Sequence, residues 1–110
     1  MAQGFSNRYL STSRALLYCS YHSSETKYSD LALLLIELGA NPNASEDGRT
    51  PLFYAAVNND MRLVRKLLSL SDVEANISDG LGRTPFRAAV LAESLQTMET
   101  LLVDRRVNAA

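Results

Sequence analysis

Cysteine is close to absent from this 110-residue chain: Cys19 stands alone, and a single cysteine closes no internal disulfide. A reducing compartment is the simpler setting for it, which points to the inside of a cell. Histidine is equally scarce, with only His22, and one cysteine plus one histidine fall short of the four ligands of a structural zinc site. A basic surplus is lacking too. Eleven Lys and Arg face twelve Asp and Glu, for a net charge of −1, whereas a dedicated nucleic-acid binder carries a clear positive excess. Long apolar runs are missing: the longest, Leu31 to Ile36, is far below the roughly 20 residues that cross a bilayer. The opening Met-Ala-Gln-Gly-Phe-Ser has no basic segment leading into an apolar one, so no secretory leader is expected. With 46% hydrophobic residues, the chain is long enough for one core but not two. The expectation is a single soluble domain, 1–110, in the cytoplasm or the nucleus.

What is present is a repeat. Asp47-Gly48-Arg49-Thr50-Pro51-Leu52-Phe53-Tyr54-Ala55-Ala56-Val57 matches Leu81-Gly82-Arg83-Thr84-Pro85-Phe86-Arg87-Ala88-Ala89-Val90, and Thr50 to Thr84 spans 34 positions. A self-match at that period marks an array of supersecondary units. Gly48 and Gly82 sit where a tight turn demands positive φ. Thr50 and Thr84 are placed to cap a helix, and Pro51 and Pro85 fill its first turn, where no amide donor is missed. The short helix carries paired alanines, which let neighbouring helices approach closely. A second helix follows each first one. Met61 to Ser69 sets Leu63, Val64, Leu67 and Leu68 on one side and Arg62, Arg65 and Lys66 on the other, with Asp60 as its N-cap. Leu95 to Val103 repeats the pattern through Leu95, Met98, Leu101 and Leu102, and starts at Glu93 or Ser94.

These segments resemble ankyrin repeats, whose units run Gly-x-Thr-Pro-Leu-His-x-Ala-Ala and end in Leu-Leu-x-x-Gly-Ala. Leu35-Ile36-Glu37-Leu38-Gly39-Ala40-Asn41-Pro42-Asn43-Ala44 looks like the end of an earlier unit. The resemblance therefore implies an all-α ankyrin repeat solenoid of three units, about 11–44, 45–78 and 79–110, joined by short β-turn or hairpin loops. The first unit is degenerate. Ser13 to Tyr21 reads as its first helix, Tyr21 to Tyr28 as a lengthened connection, and Leu31 to Leu38 as its second helix, capped by Ser29 or Asp30. Atypical terminal units are common because one face meets solvent. The family histidine is replaced by Phe53 and Arg87, so its buried hydrogen bond is lost. The glycine between the helices is replaced by Asn59 and Glu93. The loop from Ser69 to Gly80 has Ser71-Asp72 for Gly-Ala, and one residue more. The end, Val107-Asn108-Ala109-Ala110, resembles the loop that leads into another unit, so the array is expected to be cut from a longer one or covered there by another chain. A monomer or a weak homodimer through that uncapped unit is expected.

Catalytic and metal chemistry find little support. Cys19 and His22 lie three apart, yet a nucleophile–base pair needs an orienting group and a pocket; the bland assignment is a small buried helix residue and a solvated loop histidine. Glu46 with Asp47, and Asp72 with Glu74, lack the oxygen-rich pattern of a calcium loop. Gly80-Leu81-Gly82 lacks the strand, lysine and further glycine of a phosphate loop. Arg62, Arg65 and Lys66 form a solvated outer face without aromatics, so no nucleic-acid contact is expected. No enzyme activity, cofactor or metal is expected either.

The resemblance implies instead that the concave side, built from turn tips and first helices, binds another protein. Carried over by position, the candidates are Glu46, Asp47, Arg49, Leu81 and Arg83 at turn tips, and Phe53, Tyr54, Val57, Asn58, Arg87 and Leu91 on the short helices. Tyr, Phe and Arg are residues that interfaces favour. The competing assignment has Phe53 packing between units and Arg49 and Arg83 answering Asp47 and Asp79. The alternative function is an ankyrin segment of a larger enzyme or regulator whose chemistry lies elsewhere. The style of the units resembles intracellular ankyrin proteins of eukaryotes, or of microbes that act on them.

Overall fold

The structure is a computed structural model that describes the backbone of residues 2–109 and the side chains of residues 12–109. The closing Ala110 and the opening Met1, which belong to the two ends interpreted above, lie outside the described residues. Among the described residues six helices follow in order: α1 (Ala2–Tyr21), α2 (Thr26–Glu37), α3 (Pro51–Val57), α4 (Met61–Leu68), α5 (Pro85–Leu91) and α6 (Leu95–Leu102). No sheet forms among the described residues; Glu46 and Arg49 make an isolated antiparallel bridge.

Local chemistry starts and stops these helices. Thr50 accepts a hydrogen bond from the Phe53 amide at 3.2 Å, and Thr84 accepts one from Arg87 at 3.3 Å, each with proline in the first turn. Asp60 caps α4 by accepting from Leu63. Ser94 is the N-cap of α6 but makes no capping bond; its hydroxyl donates to the Val57 carbonyl instead. Asn59 (φ 51°) and Glu93 (φ 57°) both adopt the left-handed backbone between paired helices. Asn59 is compensated, because its Oδ1 accepts from both the amide and the hydroxyl of Thr97.

Two boundaries in the first unit differ from expectation. The first helix extends N-terminally from Ser13 to Ala2. The second begins at Thr26, not Leu31, with Glu25 in the N-cap position and no side-chain cap. Ser29 is therefore a buried helix residue, and its hydroxyl accepts from Arg62. Aromatic packing explains the early start: Tyr28 stands 5.8 Å from the Tyr18 ring and 5.2 Å from His22, which draws its backbone into the helix.

The helices stack in two layers, with α1, α3 and α5 touching in one row and α2, α4 and α6 in the other, over a body of 46 × 27 × 24 Å. Between the layers lies one core, in which Leu16, Leu52, Leu63, Val64, Leu67 and Leu101 are fully buried. Ala55, Ala56, Ala88 and Ala89 are buried as well, so the alanine pairs do permit close approach. Asparagines join the outgoing loops. Asn43 donates to the Asp72 carbonyl and accepts from the Glu74 amide, and Asn76 does the same with Arg106 and Asn108. At the far end, Val90, Leu102 and Val103 remain exposed, whereas Ala56, in the place of Val90 one unit earlier, is covered by α5.

Candidate functional site

The first turn tip is a two-residue reversal. Glu46 and Arg49 exchange both backbone hydrogen bonds, at 3.2 and 2.9 Å, while Asp47 (φ 53°) and Gly48 (φ 76°) are both left-handed, the pattern that favours Asp-Gly. A side chain on Gly48 would run into the Ser78 carbonyl and come within 2.8 Å of the Asp79 Cα. Neighbouring tips are thus packed backbone to backbone, with the Gly80 amide donating to the Asp47 carbonyl. The second tip, from Asp79 to Arg83, holds one residue more than the first. The additional residue expected in the preceding loop is taken up at the turn, which leaves Leu81 on its outside, 74% exposed.

Asp79 organises that larger turn. Its Oδ1 accepts from the Leu81 and Arg83 amides, and its Oδ2 accepts from Arg83 Nε at 2.9 Å and pairs with Arg83 Nη2 at 2.8 Å. The carboxylate side chain is 1% exposed. Burial alone would raise its pKa, but the Arg83 guanidinium and the two amides outweigh burial and hold it at about 2. Arg49 reaches the same Oδ2 only at 3.5 Å, and its buried Nε has no hydrogen-bond partner.

A row of rings crosses from the first unit to these arginines. Tyr21 meets Tyr54 edge-on at 5.3 Å, and Tyr54 meets Phe53 edge-on at 5.8 Å. The guanidinium carbons of Arg49 and Arg83 each lie 5.8 Å from the Phe53 ring. Phe53 is therefore not on the exposed face where it was expected; it is 4% exposed beneath the arginines, and the competing packing assignment describes it. Asn58 is also committed, donating to the carbonyls of Ser20 and Tyr21 and to the Ser23 hydroxyl. These bonds satisfy carbonyls that the end of α1 leaves without helical partners. Of the two expected arginine contacts, the one to Asp79 forms for both Arg49 and Arg83.

Around this row runs a groove. One depression of about 500 Å³ is walled by Tyr21, Arg49, Phe53, Tyr54, Val57, Asn58, Arg83 and Leu91. A second of about 550 Å³ is walled by Arg14, Leu17, Tyr18, Tyr21, Glu46 and Tyr54, so the two meet at Tyr21 and Tyr54. Asp47, Leu81 and Arg87 are exposed outside both walls. The candidates taken from the short units left out Arg14, Tyr18 and Tyr21. Their spacing on α1, four and then three residues, puts them on one helical face, and that periodicity was the available signal.

Other contacts correct the remaining assignments. His22 is not a solvated loop residue; it is half-buried among Tyr18, Tyr21 and Tyr28 at 4.5 to 5.2 Å. Cys19 is buried, and burial raises its thiol pKa, opposite to what a nucleophile needs. Arg62 and Lys66 are more than a solvated face, since Arg62 pairs with Asp30 at 2.7 Å and Lys66 pairs with Glu37, tying α4 to α2. Among the described residues no three His, Cys, Asp or Glu side chains are grouped to hold a metal ion, and no helix is long and apolar enough to cross a membrane.

A family model described as ankyrin repeats, three copies, matches residues 13–110. Among curated proteins, Rabankyrin-5 of Mus musculus is 35% identical over 69 residues, 62% of this chain and 6% of its own length. The Ankyrin repeat and LEM domain-containing protein 1 homolog of Caenorhabditis elegans is 40% identical over 68 residues, 61% of this chain and 10% of its own. An ankyrin repeat protein of Rickettsia felis is 30% identical over 84 residues, 74% of this chain and 28% of its own. The chain thus spans between 6% and 28% of the length of these relatives.

Proposed function

The chain belongs to the ankyrin repeat family, whose stacks are generally protein-binding modules and typically non-catalytic, and we propose that it grips a partner protein through the concave side of the stack. The observation that carries this reading is the groove itself: Tyr21 of α1, Tyr54 and Val57 of α3 and Leu91 of α5 line one continuous wall beside Arg49 and Arg83. Large rings and arginines on a concave wall supply contact area and directional bonds together. Glu46 belongs to the adjoining wall and Asp47, Leu81 and Arg87 form the rim, while Phe53 and Asn58 act from beneath by holding the wall in place. The unpaired Cys19 supports a setting inside the cell.

The test is a binding titration with a partner recovered by affinity capture. Tyr54→Ala, Arg87→Glu and Leu81→Asp are expected to weaken binding about tenfold or more where they meet the partner, and Arg65→Glu on the outer layer to leave it unchanged. Unchanged affinity in all three concave-side variants contradicts the reading.

A second reading is favoured by the small share of its relatives that the chain spans. In it the stack is one segment of a larger regulator or enzyme, and the exposed Val90, Leu102 and Val103 meet a further unit, or a second copy in a weak dimer. A transcript that continues the reading frame past Ala110 with another Thr-Pro unit is the expected observation; a stop codon there, with a monomer in sedimentation, argues against it.

A further inference from the structure

Several charges on this molecule are answered from within. Arg62 pairs with Asp30, Lys66 with Glu37, Arg106 with Asp104 and Arg83 with Asp79. On the groove wall Arg49 shares a single carboxylate with Arg83. Arg83 and two amides hold Asp79 at the closer distances, so one buried carboxylate answers two guanidiniums, and Arg49 keeps a 3.5 Å ion pair with an Nε that makes no hydrogen bond. Its side chain is 39% exposed.

The two halves of the groove differ in what they lack. Beside Arg14 the wall includes the acidic Glu46. Beside Arg49 and Arg83 the wall contains no acidic residue, and Asp79 lies underneath, closed to solvent. The rest of that half is aromatic or apolar apart from Asn58, with Val57 41% and Leu91 64% exposed on adjacent helices. A ligand that complements it brings both a carboxylate and an apolar group.

Resting on the concave-face reading, we propose that this half of the groove takes an extended acidic segment of a partner protein, with one carboxylate on Arg49 and a neighbouring apolar side chain between Val57 and Leu91. The guanidinium fork accepts a carboxylate with two parallel bonds. Partial shielding by Phe53 and Tyr54 strengthens the pair relative to one in open water. The apolar side chain supplies the buried area that fixes the segment's register. A basic or purely apolar segment leaves two guanidiniums sharing one carboxylate, which disfavours it.

A random dodecamer peptide library displayed on phage and panned on the full 110-residue chain tests this. Peptides with Asp or Glu close to Leu, Ile or Phe are expected to be enriched. A synthetic peptide of the enriched sequence is expected to lose about tenfold in affinity on Arg49→Gln, on Leu91→Asp, and on replacement of its own acid by the amide. Arg49→Lys keeps a cation over Asp79 and is expected to lose less, which separates recognition from folding should Arg49→Gln lower the melting temperature. Failure of any peptide to enrich, enrichment of basic sequences, or indifference to Arg49→Gln overturns the proposal. Loss on Tyr54→Ala with indifference to Arg49→Gln overturns the acidic partner while leaving the concave face standing. Indifference to both overturns both. Displacement of the peptide by single-stranded oligothymidylate of equal affinity would assign the arginines to nucleic acid and also overturn it.

Discussion

Gly48 and Gly82 occupy the same place in successive units and share a positive φ, 76° and 77°, yet their surroundings differ. An added methyl at Gly82 meets nothing within 4 Å, whereas at Gly48 it collides with the Ser78 and Asp79 backbone. Gly82→Ala is therefore expected to cost about 1 kcal/mol, from the left-handed backbone alone. Gly48→Ala is expected to cost on the order of 3 kcal/mol, since backbone has to move as well; urea denaturation of the two variants checks the order. Glu93 is the converse case, a side chain held left-handed (φ 57°) with no compensating bond from its own carboxylate among the hydrogen bonds described. Glu93→Gly is expected to stabilise the chain by about 0.5 kcal/mol, once glycine's greater freedom in the unfolded chain is set against the relieved strain. Asn59→Gly is expected to destabilise it, because Thr97 loses its acceptor. Thermal melting reads both. The left-handed turn at Gly48 was legible in Asp-Gly itself. The commitments of Phe53 and Asn58 were not, because position in a unit says which way a side chain points and not what the preceding unit places over it.

The turn from Asp79 to Arg83 responds to pH through its buried carboxylate. A carboxylate with a folded pKa of about 2, against an ordinary unfolded value near 3.9, binds fewer protons folded than unfolded between those values. Its stabilisation is thus complete above about pH 4 and is lost as pH falls through 2. The urea midpoint is expected to fall over that interval, and Asp79→Asn to flatten that part of the profile while lowering stability at neutral pH. A profile identical to that of the unaltered chain would remove Asp79 from this role. Helices α3, α4 and α5 were legible because each begins with a cap whose chemistry is local, Thr-Pro or Asp, and α4 and α6 because each buries leucine at helical spacing. The start of α2 was not: no cap marks Thr26, and the aromatic corner of Tyr18, His22 and Tyr28 that sets it joins residues from two helices. That corner and the groove wall share a cause. Both depend on where α1 lies against its neighbours, and single-chain periodicity does not report that.

Across the whole molecule, cohesion comes from each helix pair burying its apolar sides on the next. Leu63 sits fully buried in the central pair, so Leu63→Ala is expected to cost 2–5 kcal/mol and to melt the three units together, in one transition by far-ultraviolet circular dichroism. Stacking of this kind also fixes the geometry of the hollow side, since α1, α3 and α5 are the row that lines it. The most direct measurement is hydrogen exchange by mass spectrometry on the chain, alone and with a ligand selected against it. The account predicts slowed exchange in segments 14–21, 46–58 and 79–92, with α4 and α6 unaltered. Slowed exchange confined to α4 and α6, with those three segments unchanged, would contradict it.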